Sequence, residues 1–132
     1  MILVDTIVLL DVLQDDPHWA DWSQDQLDAA SVTDALAINS VIYAELSISF
    51  AKIEELEDAI STAELAVEPL PREALFLAGK AFLRYRRTAT KQHVSPDFFI
   101  GAHAAVNDWP LLTRDAKRYR TYFPTVELIT PP

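Results

Sequence analysis

Four acidic residues stand where carboxylates are hard to account for. Asp5 ends the apolar run "MILVD", Glu45 interrupts "VIYAELSI", Asp97 interrupts "SPDFFIGA", and Asp115 closes "LLTRD". A carboxylate among apolar residues loses its hydration and needs a compensating partner. Each has an ordinary explanation when taken alone. Asp5 suits a helix cap, Asp97 a helix N-terminus favoured by the macrodipole, Glu45 a buried arginine partner, and Asp115 a polar turn. As a set they point elsewhere, because acids gathered in one place raise each other's pKa unless a cation sits among them. The chemistry to look for is a cation site.

Such acids converge only if the elements carrying them share an edge. The chain alternates short β-like runs with longer helical ones. Strands are expected over 2–4, 35–38, 65–70, 110–112 and 126–129. Helices are expected over 6–14, 19–30, 41–50, 52–63, 72–89 and 97–108. Asp15-Asp16-Pro17 stops the first helix, Asn39 or Ser40 caps the one after the second strand, and Ser95-Pro96 starts the last. Strands separated by helices make an α/β fold, a layered sandwich around a mainly parallel sheet of about five strands. Ligands of these sheets bind beyond the carboxyl ends of the strands. Asp5 directly follows strand one, Asp115 follows strand four, and Glu45 lies in the second turn after strand two. Asp97 precedes strand four, so its helix is expected to start at the opposite edge unless it leans, or a long 90–96 loop climbs back.

Composition narrows the function classes. With 132 residues, half of them hydrophobic and 23% charged, the chain suits a single domain over 1–132 with one core. No apolar run reaches the roughly 18 residues of a membrane span, and Met1–Val4 lacks the basic flank of a signal peptide. A cytoplasmic location without membrane contact is the expectation. Absence of cysteine removes disulfides and thiolate metal sites. Gly79 and Gly101 are the only glycines, which excludes a Gly-rich phosphate loop. Net charge is −9, yet it is unevenly spread: residues 1–71 hold 15 acids and one base, whereas 72–120 hold ten bases and four acids. A basic half against an anion and an acidic half around a cation would use that division.

The segments "ILVDTIVLLDVL", "VIYAEL", "SPDFFIGAHAAV" and "LLTRDAKRYRTYFPTVELITP" together resemble the PIN-domain nucleases, from Ile2 to Pro131. More narrowly, the chain is similar to the VapC toxins of bacterial VapBC toxin–antitoxin pairs. The resemblance implies that Asp5, Glu45, Asp97 and Asp115 bind metal, with Thr113 as the hydroxyl beside them and Thr6 close by. It further implies an RNA substrate, a homodimer, and inhibition by a VapB-type antitoxin. Two positions depart from the family pattern: Ile7 replaces a frequent Ser or Asn, and Asp108-Trp109-Pro110 replaces a segment that often holds Gly.

Oxygen ligands suit Mg²⁺ or Mn²⁺, and Mg²⁺ keeps several waters while using one or two carboxylates plus substrate phosphate. In phosphodiester hydrolysis such an ion neutralises charge, lowers the pKa of its water and steadies the leaving oxygen, so no side-chain nucleophile is required. His18 and His93 fall in loops and His103 is turned from Asp97 by its six-residue spacing, which argues against zinc. Arg86 within "RYRRTATK" (84–91), with Arg114 and its basic neighbours, would contact the phosphate backbone. Tyr85, Tyr119 and Tyr122 fit core or rim packing better than base stacking. Two rival readings are a PIN-like binding module without catalysis and an aspartate-dependent phosphatase or phosphoacceptor. The latter wants a second acid where Ile7 stands.

Overall fold

In the computed structural model, which describes residues 1–86 and 95–132, the elements alternate as the sequence pattern requires. They are β1 (Ile2–Val4), α1 (Thr6–Leu13), α2 (Ala20–Thr33), β2 (Leu36–Asn39), α3 (Ser40–Ser47), α4 (Ile53–Thr62), β3 (Ala66–Glu68) and α5 (Arg72–Arg86). After these come α6 (Pro96–Asn107), β4 (Leu111–Leu112), α7 (Lys117–Tyr122) and β5 (Leu128–Ile129). The five strands pair in parallel in the order β3-β2-β1-β4-β5. The result is a three-layer α/β/α sandwich. Strand β1 lies at its centre, and Leu3 and Val4 are wholly buried there with Ala37, Ile38, Leu111 and Leu112.

The order fixes where a site can form. From β1 the chain builds outward through β2 to β3, then returns to place β4 on the other side of β1. The crevice between the carboxyl ends of β1 and β4 is therefore the topological switch point of the sheet. Asp5 follows β1 and Thr113 follows β4, so these two residues face each other across it.

Helix α6 corrects the expected direction for Asp97. The helix stops at Asp108 in a left-handed conformation (φ 53°, ψ 45°), with Trp109 N–H bonded back to Ala104 O. Pro110 then accepts a hydrogen bond from Leu3 N–H, at the entry to β4. A helix that ends beside the start of a strand and runs antiparallel to it must begin at that strand's carboxyl edge. Neither lean nor climbing loop is needed. The left-handed cap also accounts for the departure at Asp108, since Gly is the residue that adopts this conformation most easily.

Three other expectations shift. The basic turn after β4 continues as α7, and the strands over 65–70 and 126–129 shorten to β3 and β5. The end of the expected 72–89 helix and most of the 90–96 loop fall outside the described residues. The small residues of α6 include Gly101, which admits a ring: the side chain of Phe123, just after α7, lies where a Gly101 methyl would point. Phe123 and Phe98 are themselves buried and in edge contact.

Gly101→Ala should therefore lower stability by about 1–3 kcal/mol, because the buried ring has nowhere to go. Gly79, in the interior of α5, has open space beside it, so Gly79→Ala should raise stability by about 0.5–1 kcal/mol. Urea midpoints at unchanged slope would check both signs.

Candidate active site at the carboxyl edge of the sheet

Asp5 occupies the cap position of α1, yet its side chain makes no capping hydrogen bond. It is buried, only 5% exposed, and its Oδ2 turns to the opposite strand. Thr113 Oγ1 donates to it at 2.7 Å and the Tyr119 hydroxyl lies 3.2 Å from it. The helix-cap explanation of this acid therefore does not hold. Thr113 in turn accepts the backbone N–H of Asp115 at 3.1 Å, which orders the turn after β4.

Glu45 reaches the same place from α3. Its Oε1 accepts the Thr6 hydroxyl at 2.6 Å, and no arginine pairs with it among the described residues. Asp97 arrives in the first turn of α6, where Ser95 caps the helix and Pro96 starts it. Its Oδ1 lies 3.3 Å from the Tyr119 hydroxyl, and its Oδ2 accepts from Arg118 at 3.1 Å. Arg118 also donates to Ser95 Oγ and lies over the rings of Tyr85 and Phe98.

One phenol thus touches two carboxylates. A tyrosine hydroxyl carries a single proton and can donate to only one of them at a time. The second contact is favourable only if that carboxyl is protonated or a cation relieves the repulsion. The electrostatics agree. Burial above all, with the Asp97 and Glu45 charges behind it, pushes the Asp5 carboxyl up to about 6, against the opposing hydroxyls of Thr113 and Tyr119. Burial also raises Asp97, helped by Asp115 and opposed by Arg118 and Tyr119. Burial and the two flanking acids keep the Tyr119 hydroxyl protonated.

The four acids form a graded set: Asp5 buried, Glu45 and Asp97 half-buried, Asp115 exposed at the rim. Among the described residues, no three acidic or imidazole groups close around a single point as a ready-made cage. That arrangement still fits a hydrated Mg²⁺, which needs one or two carboxylates and fills its other positions with water and substrate. Asp5 and Asp97, joined through one hydroxyl, are the pair that suits it.

Other predicted residues have different occupations. Arg114 is held by Asp11, with Nε at 2.8 Å and Nη2 at 3.0 Å, and lies 4.9 Å over Trp19. Asp11 also accepts from buried Ser23, so this ion pair ties the β4 turn to the α1–α2 pair. Arg86 lies over the Phe82 ring at the end of α5, and no hydrogen bond or ion pair joins it to the acids among the described residues. His103 is buried and turned from the acids, while His93 and residues 87–91 of the basic stretch lie outside the described residues. Sequence reasoning missed Tyr119 as a polar bridge and Arg118 as a carboxylate partner. Only the four-residue spacing of Tyr119 from Asp115 and the adjacency of Arg118 could have hinted at either.

The raised Asp5 carboxyl has a signed consequence for stability. The folded chain holds this proton more tightly than the unfolded chain, so folding is favoured most below pH 4 and the contribution disappears as pH rises to about 6. In metal-free protein above pH 6, Asp5→Asn should add up to about 3 kcal/mol, with no gain near pH 4. Urea unfolding in EDTA across that range checks it.

The PIN domain family model matches residues 2–124. No curated protein matches the sequence. Among solved structures, the fold is similar to VapBC2 from Rickettsia felis bound to a promoter DNA fragment, with TM-score 0.74, 20% identity and 98% of each chain covered. It is also similar to a toxin–antitoxin complex from Klebsiella pneumoniae, with TM-score 0.72, 18% identity, and 100% and 98% covered. FitAcB from Neisseria gonorrhoeae follows with TM-score 0.67, 18% identity, and 98% and 96% covered. The parallel order with Asp5 and Thr113 at its switch point accompanies a sequence match over nearly the whole length: the chain belongs to the PIN-domain family.

Proposed function

We propose that this chain is a VapC-like endoribonuclease toxin that uses Mg²⁺, or Mn²⁺, to hydrolyse RNA phosphodiester bonds. The observation that carries this reading is Asp5, a carboxylate raised chiefly by its burial, and further by Asp97 and Glu45, at the sheet's switch point. A structural acid would be relieved by a neutralising side chain, yet among the described residues no ion pair involves Asp5, and Arg118 goes to Asp97. Asp5 and Asp97 would hold the ion. Glu45, steadied by Thr6, would orient it or its water, and Asp115 would act from the rim. When bound, the ion supplies a lowered water pKa and neutralises phosphate charge. Thr113 and Tyr119 hold Asp5 in one orientation, and burial of that carboxylate strengthens its attraction for a cation. Arg118 stands next to Asp97, where positive charge favours an approaching phosphate.

A VapB-type antitoxin is the proposed partner. An apolar cleft of about 590 Å³ opens between α1, α2, α3 and α4, lined by Leu9, Val12, Leu27, Leu46, Phe50 and Leu65. It lies in the half of the chain with 15 acids and one base, which suits a basic, hydrophobic segment. The solved structures of similar fold include toxin–antitoxin complexes. A homodimer in the cytoplasm completes the reading.

RNA cleavage should require the divalent ion and stop in EDTA. Asp5→Asn and Asp97→Asn should each lower kcat/KM by at least about 100-fold, given that losing even an outer-shell partner of a metal ligand costs 10–100-fold. Variants as active as the parent would reject the assignment. Calorimetry showing no Mn²⁺ binding to the parent would favour the non-catalytic binding module.

A further inference from the structure

Asn39 and His103 are wholly buried polar residues, 64 positions apart in sequence. Asn39 closes β2 and caps α3, its Oδ1 accepting the N–H groups of Val41 at 3.1 Å and Ile42 at 3.0 Å. With Oδ1 committed to the helix, Asn39 offers Nδ2 to His103, whose Nδ1 lies 3.2 Å away. An amide nitrogen is a donor only, so Nδ1 must accept, and the neutral imidazole carries its proton on Nε2. Burial favours the same neutral form, against the pull of the Glu68 carboxylate at the end of β3. Among the described residues Nε2 is buried without a hydrogen-bond partner, and the ring packs 5.0 Å from Trp109. An unpaired buried donor is unfavourable, and an apolar residue of similar size would avoid it. Packing alone does not explain a histidine here.

The position of the contact suggests the reason. Glu45 stands six residues after Asn39, and Asp97 stands six residues before His103. Each distance is about 9 Å along its helix. Helices α3 and α6 touch, and their far ends meet around Asp5, Glu45 through Thr6 and Asp97 through Tyr119. The two helices are thus joined by a buried hydrogen bond between the cap of α3 and the second half of α6, and carry their acids six residues away beside Asp5.

We propose that the Asn39–His103 hydrogen bond is a pin that sets the separation of Glu45 from Asp97, making both partners positioning residues for the divalent ion. The proposal rests on the nuclease reading above. Its test compares two variants of the whole chain. His103→Leu retains bulk and removes the acceptor. His103→Asn keeps an acceptor oxygen near the place of Nδ1 and removes the unpaired Nε2–H. For protein folded by far-UV circular dichroism, we read Mn²⁺ affinity by calorimetry and kcat and KM on RNA. His103→Leu should weaken Mn²⁺ binding and lower kcat by about 10–100-fold with KM little changed, and His103→Asn should recover most of both. Should His103→Leu not fold, Asn39→Ser serves instead: Ser keeps the cap on α3 but does not reach His103. Its expected losses are the same. A variant that melts earlier yet binds Mn²⁺ and cleaves like the parent overturns the pin alone. A parent that neither binds Mn²⁺ nor cleaves RNA overturns the nuclease reading on which the pin rests.

Discussion

Everything at the carboxyl edge follows from keeping one carboxylate out of water. Asp5 is carried into the centre of the sheet by β1, and its neighbours leave it almost no solvent. A charge so placed must be met by oriented donors, or it takes up a proton. The donors arrive from a distant part of the chain: Thr113 from the end of β4 and Tyr119 from α7. Those two contacts span 108 and 114 positions, so the local requirement at Asp5 is satisfied only once the whole sheet has closed. Fold and site are in this sense one event.

Around that carboxylate, charge is compensated unequally. Asp97 has an arginine, Glu45 has a neutral hydroxyl, and Asp11, outside the cluster, has the fork of Arg114. Among the described residues the cations near the site are thus distributed around its margin and leave its deepest acid to hydroxyls. Arg118 is further held by Ser95 and by the faces of two aromatic rings, which keeps its charge beside the cluster rather than inside it. The aromatic group that supports it also joins α5 to α6, through Phe82, Tyr85 and Phe98.

Much of the fold is legible in the sequence. Alternating periodicity identified the layered α/β architecture and the edge to inspect, and apolar surroundings singled out Asp5, Glu45 and Asp97. What stayed hidden depends on direction and partnership. Composition carries no sense for α6, and only geometry puts the start of a helix that precedes a strand at that strand's carboxyl edge. Tyr119 looks like any core aromatic, and its hydroxyl acquires meaning only when two acids stand on either side. Arg114 resembles a substrate contact until Asp11, an acid within the hydrophobic first helix, is seen to hold it. Short strands such as β5 carry too few residues for a period to show.

The ends of α6 are both fixed, by Ser95 and Pro96 at its start and by the left-handed Asp108 at its stop. Between them the helix behaves as a measuring rod. Adding or deleting one residue there would swing Asp97 about 100° around the helix axis while Asp108 stayed at the mouth of β4. Length variation among relatives should therefore collect outside this segment, and a chain that had changed it would retain its fold yet point its acid at empty space.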